Sequence, residues 1–187
     1  SNISRMDPAQ VKSIVREGVR HVMFCIELYK YQISQGRYFL HEHPWGAWSW
    51  KLPGMMQLRS MPGVLLGKGH MCQHGMYIDS KNGRELALKA TGWLSNSEHI
   101  IKTLAKTCSN DGGPNDHKHA SLQQGAASKA AVWPEKLCYA ILRGMRKQLL
   151  SDNVMHEGEI GTVSEDPIEK EFSQSLGDCY FVDDVSG

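Results

Sequence analysis

A chain of 187 residues with 41% apolar content and a net charge of +1 can bury one sizeable core, which sets aside disordered, collagenous and multi-domain classes. No run approaches the roughly 18 apolar residues needed to span a bilayer, and no secretory signal is visible, so a soluble intracellular protein without membrane partners is expected. The near-neutral total hides an asymmetry: residues 1–150 hold 20 Lys and Arg against 10 Asp and Glu, while residues 151–187 hold 1 against 10. A basic body suits a polyanionic partner, and an acidic tail suits a solvated linker or a shield for that surface.

In chain order, Asp7 is placed to cap a helix with Pro8 at its first position and Gln10 at the capping-box position. Val11, Ile14, Val15, Val22, Cys25, Ile26, Tyr29 and Ile33 mark one face of that helix. Gly18 lies on the same face and costs roughly 1 kcal/mol relative to Ala, which weakens the helix unless another backbone packs closely there. Gly36 is the expected stop. An apolar strand then drives into His41-Glu42-His43-Pro44. Helix, tight turn, strand and polar tip make half of an α/β unit, and in open parallel sheets ligands bind beyond the carboxyl ends of the strands, where Glu42 is expected.

Pro53 to Ser60 predicts a short helix, Pro62-Gly63 a turn, Val64 to Leu66 a strand and Leu86 to Leu94 a second strand. Ser95 and Glu98 sit at capping-box spacing before a helical face of Ile100, Ile101, Leu104 and Cys108. Ser109 to Trp133 is a long loop, and loops of that size in compact domains are usually functional or disordered. Pro134 opens a last helix with Leu137, Cys138, Ile141, Leu142, Met145 and Leu149 on one side and Arg143, Arg146 and Lys147 on the other. Residues 151–187 form the acidic tail, in which Cys179-Tyr-Phe-Val182 is a short strand or a docking motif. The odd count of five cysteines, irregularly spaced, favours reduced thiols in a cytoplasmic or nuclear setting.

Two constellations carry chemistry. In the first, Glu42 between His41 and His43 could hold a ring nitrogen of a bound base or act as a general acid if burial raises its pKa; the plainer alternative is a turn cap between half-exposed histidines. Trp45, Trp48 and Trp50 follow it, either to stack on bases or to cover the core. The second combines Cys72-Gln73-His74 with Cys108 and His117-Lys118-His119. Thiolate and imidazole are the usual zinc ligands, and the set Cys72, Cys108, His117 and His119 would staple the long loop onto the rest of the fold. Its spacing matches no familiar finger, and buried thiols with solvated histidines are the alternative.

The order Phe39-Leu-His-Glu42-His-Pro44, then Gln73 and Gly75, then Lys89-Ala-Thr91-Gly-Trp-Leu, resembles the second half of cytosine-5 DNA methyltransferases. The order of His41 to Pro44, Cys72, Leu94-Ser95-Asn96-Ser97, Cys108, His117 and His119 more closely resembles segments of retroelement polyproteins. The resemblance covers about residues 9–147. It implies a partial Rossmann-like, class I methyltransferase-like α/β sheet flanked by helices over residues 1–150, incomplete at the N-terminus, with the Cys/His loop added. By that resemblance Glu42 contacts the target cytosine, and Lys89 and Thr91 belong to the later motif strand; with the residues read above, the expected catalytic groups are Glu42, His41 and His43 and the expected substrate-binding ones Trp45, Trp48, Lys89 and Thr91.

The glycine-rich S-adenosylmethionine loop and the Pro-Cys nucleophile of that family have no counterpart here, and His43 stands where the family has Asn. Methyl transfer therefore lacks its starting thiolate, and S-adenosylmethionine is expected only with an upstream half of the same polyprotein. Three functions follow as expectations: the target-base half of a methyltransferase-like domain, a zinc-stabilised non-catalytic nucleic-acid-binding module, or a degenerate structural remnant.

Overall fold

The computed structural model describes residues 6–80, 83–109, 117–120 and 132–156. Helix α1 (Pro8–Ser34) starts where the capping residues place it, with the Asp7 carboxylate accepting the Ala9 and Gln10 backbone N–H groups at 3.1 and 3.3 Å. It stops before Gly36, whose φ of +65° suits glycine. Only its second half is anchored: Ile26 is fully buried, with Val22, Tyr29 and Ile33 packed around the same core cluster, whereas Ile14 is 51% exposed. A Cβ on Gly18 would meet nothing within 4 Å, so no backbone packs closely there and the helix forms despite the glycine.

Beyond α1 come β1 (Leu40–Pro44), α2 (Pro53–Arg59), β2 (Leu65–His70), β3 (Tyr77–Ser80), β4 (Gly83–Ala87), β5 (Ala90–Ser95), α3 (Glu98–Leu104), β6 (His119–Ala120) and α4 (Glu135–Ser151). They form a mixed α/β structure with two three-stranded sheets, ordered β1-β5-β2 and β3-β4-β6. In the first, β5 runs antiparallel to both neighbours, with Trp93 opposite Glu42 on one side and Gly67 on the other. The parallel sheet expected from the helix-strand order is not what these strands make. The cause is the connection: β2 leaves at His70, forms the β3-β4 hairpin and returns as β5 at Ala90, level with His70, and a chain that returns at the end it left runs antiparallel. Among the described strands only β4 and β6 pair in parallel.

Helices cover both faces of the first sheet. Leu94 and Phe39 pack with α1, α2 and Trp50 in one core cluster, while Trp93 packs with Ile101 and Leu104 of α3 and Leu137 and Ala140 of α4 in the other. Close approach of α3 depends on bare backbone in β2: a Cβ on Gly67 would stand 2.7 Å from the Ala105 methyl, and one on Gly69 would stand 2.5 Å from the Leu104 carbonyl.

Three element boundaries differ from expectation. Residues 86–94 are two strands in different sheets, divided where Lys89 N–H donates to the Ala87 carbonyl at 3.0 Å. The cap of α3 is Ser97, whose Oγ accepts Ile100 N–H at 3.2 Å; Ser95 lies inside β5 and its hydroxyl donates to the Phe39 carbonyl. Helix α3 ends at Leu104, four residues before Cys108, because the Lys106 carbonyl is drawn to the edge of β2 to accept the His70 N–H at 2.8 Å. Most of the predicted 109–133 loop, the tail beyond residue 156 and Cys179 to Val182 lie outside the described residues. No helix among the described residues is long and apolar enough to cross a membrane.

Candidate metal centre

Three separate pieces of chain converge beside β2. Cys72 lies in a 3-10 turn (Met71–His74) that immediately follows the strand, closed by Gly75 at a φ of +73°. Cys108 lies in the irregular segment after α3, and its position is set from β2: its backbone N–H donates to Nδ1 of His70 at 2.9 Å. His117 and His119 belong to the segment that ends in β6, where His119 pairs with Leu86 and Ala120 with Ala87. The result places Sγ of Cys72 and Cys108 and one ring nitrogen each of His117 and His119 all within 4.8 Å of one another.

The geometry suits a metal ion. Cys108 Sγ is 3.7 Å from Nε2 of both His117 and His119. In a tetrahedron with a metal–sulfur bond of about 2.3 Å and a metal–nitrogen bond of about 2.05 Å, the sulfur–nitrogen edge is about 3.6 Å. The two imidazoles meet edge to face, ring centroids 4.5 Å apart, which aims both Nε2 atoms at the same thiol instead of stacking the rings. Burial, with Cys108 alongside, pushes the Cys72 thiol up to about 11, and burial with His117 and His70 nearby lowers the His119 imidazolium. A thiol raised by burial is protonated at neutral pH, so metal binding here would release its proton. Four protein donors binding one ion would leave no open tetrahedral position, as in structural sites.

All four residues singled out from the sequence as ligands are therefore brought together. His74, which shares their turn, is not part of the group: it is buried and its Nε2 is 3.1 Å from the Leu104 carbonyl, tying the turn to the end of α3. Sequence reasoning missed His70, the residue that holds Cys108; its position two residues before Cys72, at the end of a strand, was the available signal.

The other expected site has a different layout. Glu42 is the middle residue of β1, not its tip, and its side chain is 20% exposed. Its Oε1 lies 3.7 Å from Lys89 Nζ and accepts no hydrogen bond among the described residues. Strand alternation sends His41 and His43 to the opposite face of the sheet, so the three residues do not converge on one point. His41 is wedged between Tyr29, whose hydroxyl lies 3.0 Å from its Nδ1, and the edge of Trp50. Burial, with His43 and His21 adding to it, brings the His41 imidazolium down to about 4, so the ring is neutral.

Of the aromatic and substrate residues expected there, Trp50 is core, its indole N–H donating to the Pro44 carbonyl at 2.8 Å. Trp45 and Trp48 are exposed, and Lys68 lies over the Trp45 ring at 5.8 Å. Lys89 is taken up by Glu42, and Thr91 is fully buried with its hydroxyl turned to the Lys89 carbonyl at 3.3 Å. Comparison of the chain with protein-family models, with curated proteins and with solved structures finds no match.

Proposed function

We propose that this chain is a zinc-stapled α/β module that binds nucleic acid and carries out no chemistry on its own. The observation that carries it is the convergence of Cys72, Cys108, His117 and His119, in which Cys72 is 36 residues from Cys108 and the four present a mixed sulfur and nitrogen donor set within 4.8 Å. Two thiolates and two imidazoles are a borderline-soft tetrahedral set, the preference of zinc over the harder divalent ions. Nucleic acid as partner is supported by the excess of 20 basic over 10 acidic residues in 1–150, and by Arg143 and Lys147 on the exposed side of α4. The resemblance to retroelement polyprotein segments supports the same setting. Metal analysis of the purified chain, paired with nucleic-acid affinity measured against salt, tests both halves. Stoichiometric zinc and a steep salt dependence are expected. A metal-free folded chain removes the staple, a flat or absent salt response removes nucleic acid, and both together leave a structural remnant.

A second reading starts from one observation: the Glu42 side chain is 20% exposed while its Oε1, itself shut off from solvent, accepts no hydrogen bond among the described residues, so a cytosine amino group would reach that oxygen only by displacing Lys89, 3.7 Å away. In that reading the chain is the target-base side of a methyltransferase-like Rossmann-type domain, with S-adenosylmethionine bound by an upstream half. A duplex carrying one unpaired cytosine separates the two. The target-base reading expects tighter binding to it than to an abasic control, lost in Glu42→Gln, and the module reading expects equal binding.

A further inference from the structure

Four lysines stand around the metal centre, each from a different segment. Lys68 is on β2, two residues before His70 on the same strand face, and its charge is felt at that ring. Lys106 follows α3, gives its carbonyl to the His70 N–H, and its charge is felt at His74. Lys118 sits between the two histidine ligands. Lys136, in the first turn of α4, lies across the cap of the cysteine turn, its Cδ 3.1 Å from where a Cβ on Gly75 would be. All four are exposed, and the ion pairs among the described residues involve Lys30, Lys89 and Lys102 instead. Glu135, next to Lys136, is the acidic neighbour on the same helix turn.

We propose that this collar is the surface that meets nucleic acid, contacting the phosphate backbone, with the metal centre as its frame. Resting on the nucleic-acid reading above, the assignment has three physical supports. A metal held by Cys72, Cys108, His117 and His119 would fix the segments that carry Lys106 and Lys118, and Lys136 lies against the turn that carries Cys72, so less ordering of these segments would be needed on binding. A zinc ion bound by two thiolates and two neutral imidazoles has no net charge, so the lysines set the sign of the field at this end of the molecule. Trp45, 39% exposed beneath Lys68, adds an aromatic face of the kind on which an unpaired base stacks beside a neutralised phosphate. Together these features favour a nucleic-acid strand, in which every phosphate is accompanied by a base with a stacking face, over an acidic polypeptide, which offers rings only at its aromatic side chains.

The test uses the full chain, a 20-nucleotide single-stranded DNA and the matching duplex, over a range of salt. The double variant Lys106→Gln/Lys118→Gln is compared with a distant pair on the exposed half of α1, Lys12→Gln/Arg16→Gln, and thermal melting confirms that all remain folded. Loss of two phosphate contacts is expected to reduce the slope of log affinity against log salt by about 1.8 on duplex and about 1.4 on the single strand, and to weaken binding on the order of tenfold at low salt. The α1 pair is expected to change neither. If the unaltered protein binds no nucleic acid at low salt, the broader nucleic-acid reading fails and takes the collar with it. If it binds, but the α1 pair weakens it and the collar pair does not, the collar alone is overturned. Competition by polyglutamate as effective as by DNA would overturn the choice of nucleic acid as ligand.

Discussion

Nδ1 of His70 accepts the backbone N–H of Cys108 at 2.9 Å, so the last residue of β2 holds a thiol that lies 38 positions further along the chain. The same His70 donates its own N–H to Lys106. This pair of bonds turns the chain away from helix α3 and onto the strand edge, within reach of Cys72. Replacing His70 with Ala removes the acceptor without touching a ligand. Its metal affinity should fall roughly 10- to 100-fold, the usual cost of losing an outer partner of a metal ligand. Competition against a chromophoric chelator measures this, and an unchanged affinity would show that Cys108 is positioned without His70.

Removal of the metal and removal of a ligand should have matching effects. Chelation of the purified chain and His117→Ala are each expected to lower the melting temperature by on the order of 10 °C, because both cut the loop from the sheet. Combining them should add little, since the second treatment has nothing left to break. Cys138→Ser serves as the control, as that cysteine is exposed on α4 and outside the cluster. A full additional drop on combining the treatments would mean that His117 contributes by packing alone.

Acid should destabilise the protein through His41. Its folded pKa of about 4 lies below the ordinary value of 6.5, so the neutral ring is the one the fold accommodates. Stability from this group is complete above pH 6.5 and declines as pH falls toward 4, below which the loss levels off, on the order of 3 kcal/mol in all. Burial lowers His43 and His74 in the same sense. Urea unfolding from pH 7.5 to 4.5 should show a shallower slope in His41→Gln than in the parent. Parallel slopes would place the acid sensitivity in other groups.

Glu42→Gln is expected to leave the fold intact and change stability by less than about 1 kcal/mol. The Glu42–Lys89 pair is partly exposed and 3.7 Å apart, too loose to contribute much. Chemical denaturation reads the difference directly, and global unfolding would assign Glu42 to the structural core.

Local physics was legible and long-range pairing was not. Asp7, Pro8 and Gly36 announced α1 because capping and φ preferences act within a few residues. The four residues that cluster were recognisable as candidate ligands because zinc chemistry selects residue types whatever their spacing. Strand direction was misjudged because helix-strand order implies a crossover only when strands are neighbours, and β5 instead enters between β1 and β2 from the β3-β4 hairpin. Glu42 was placed at an imagined rim although it lies mid-strand, where alternation along β1 sends His41 and His43 to the other face. His70 escaped notice for a related reason: its role is a side-chain bond to a backbone 38 residues away, and no periodicity records such a bond.

Cobalt(II) titration of the metal-free full chain tests the metal centre most directly. A tetrahedral site of two thiolates and two imidazoles predicts intense visible bands with thiolate charge-transfer absorption, saturating at one ion per chain and displaced by zinc, and absent from a Cys72→Ser/Cys108→Ser variant. A weak octahedral spectrum, or bands that persist in that variant, would contradict it.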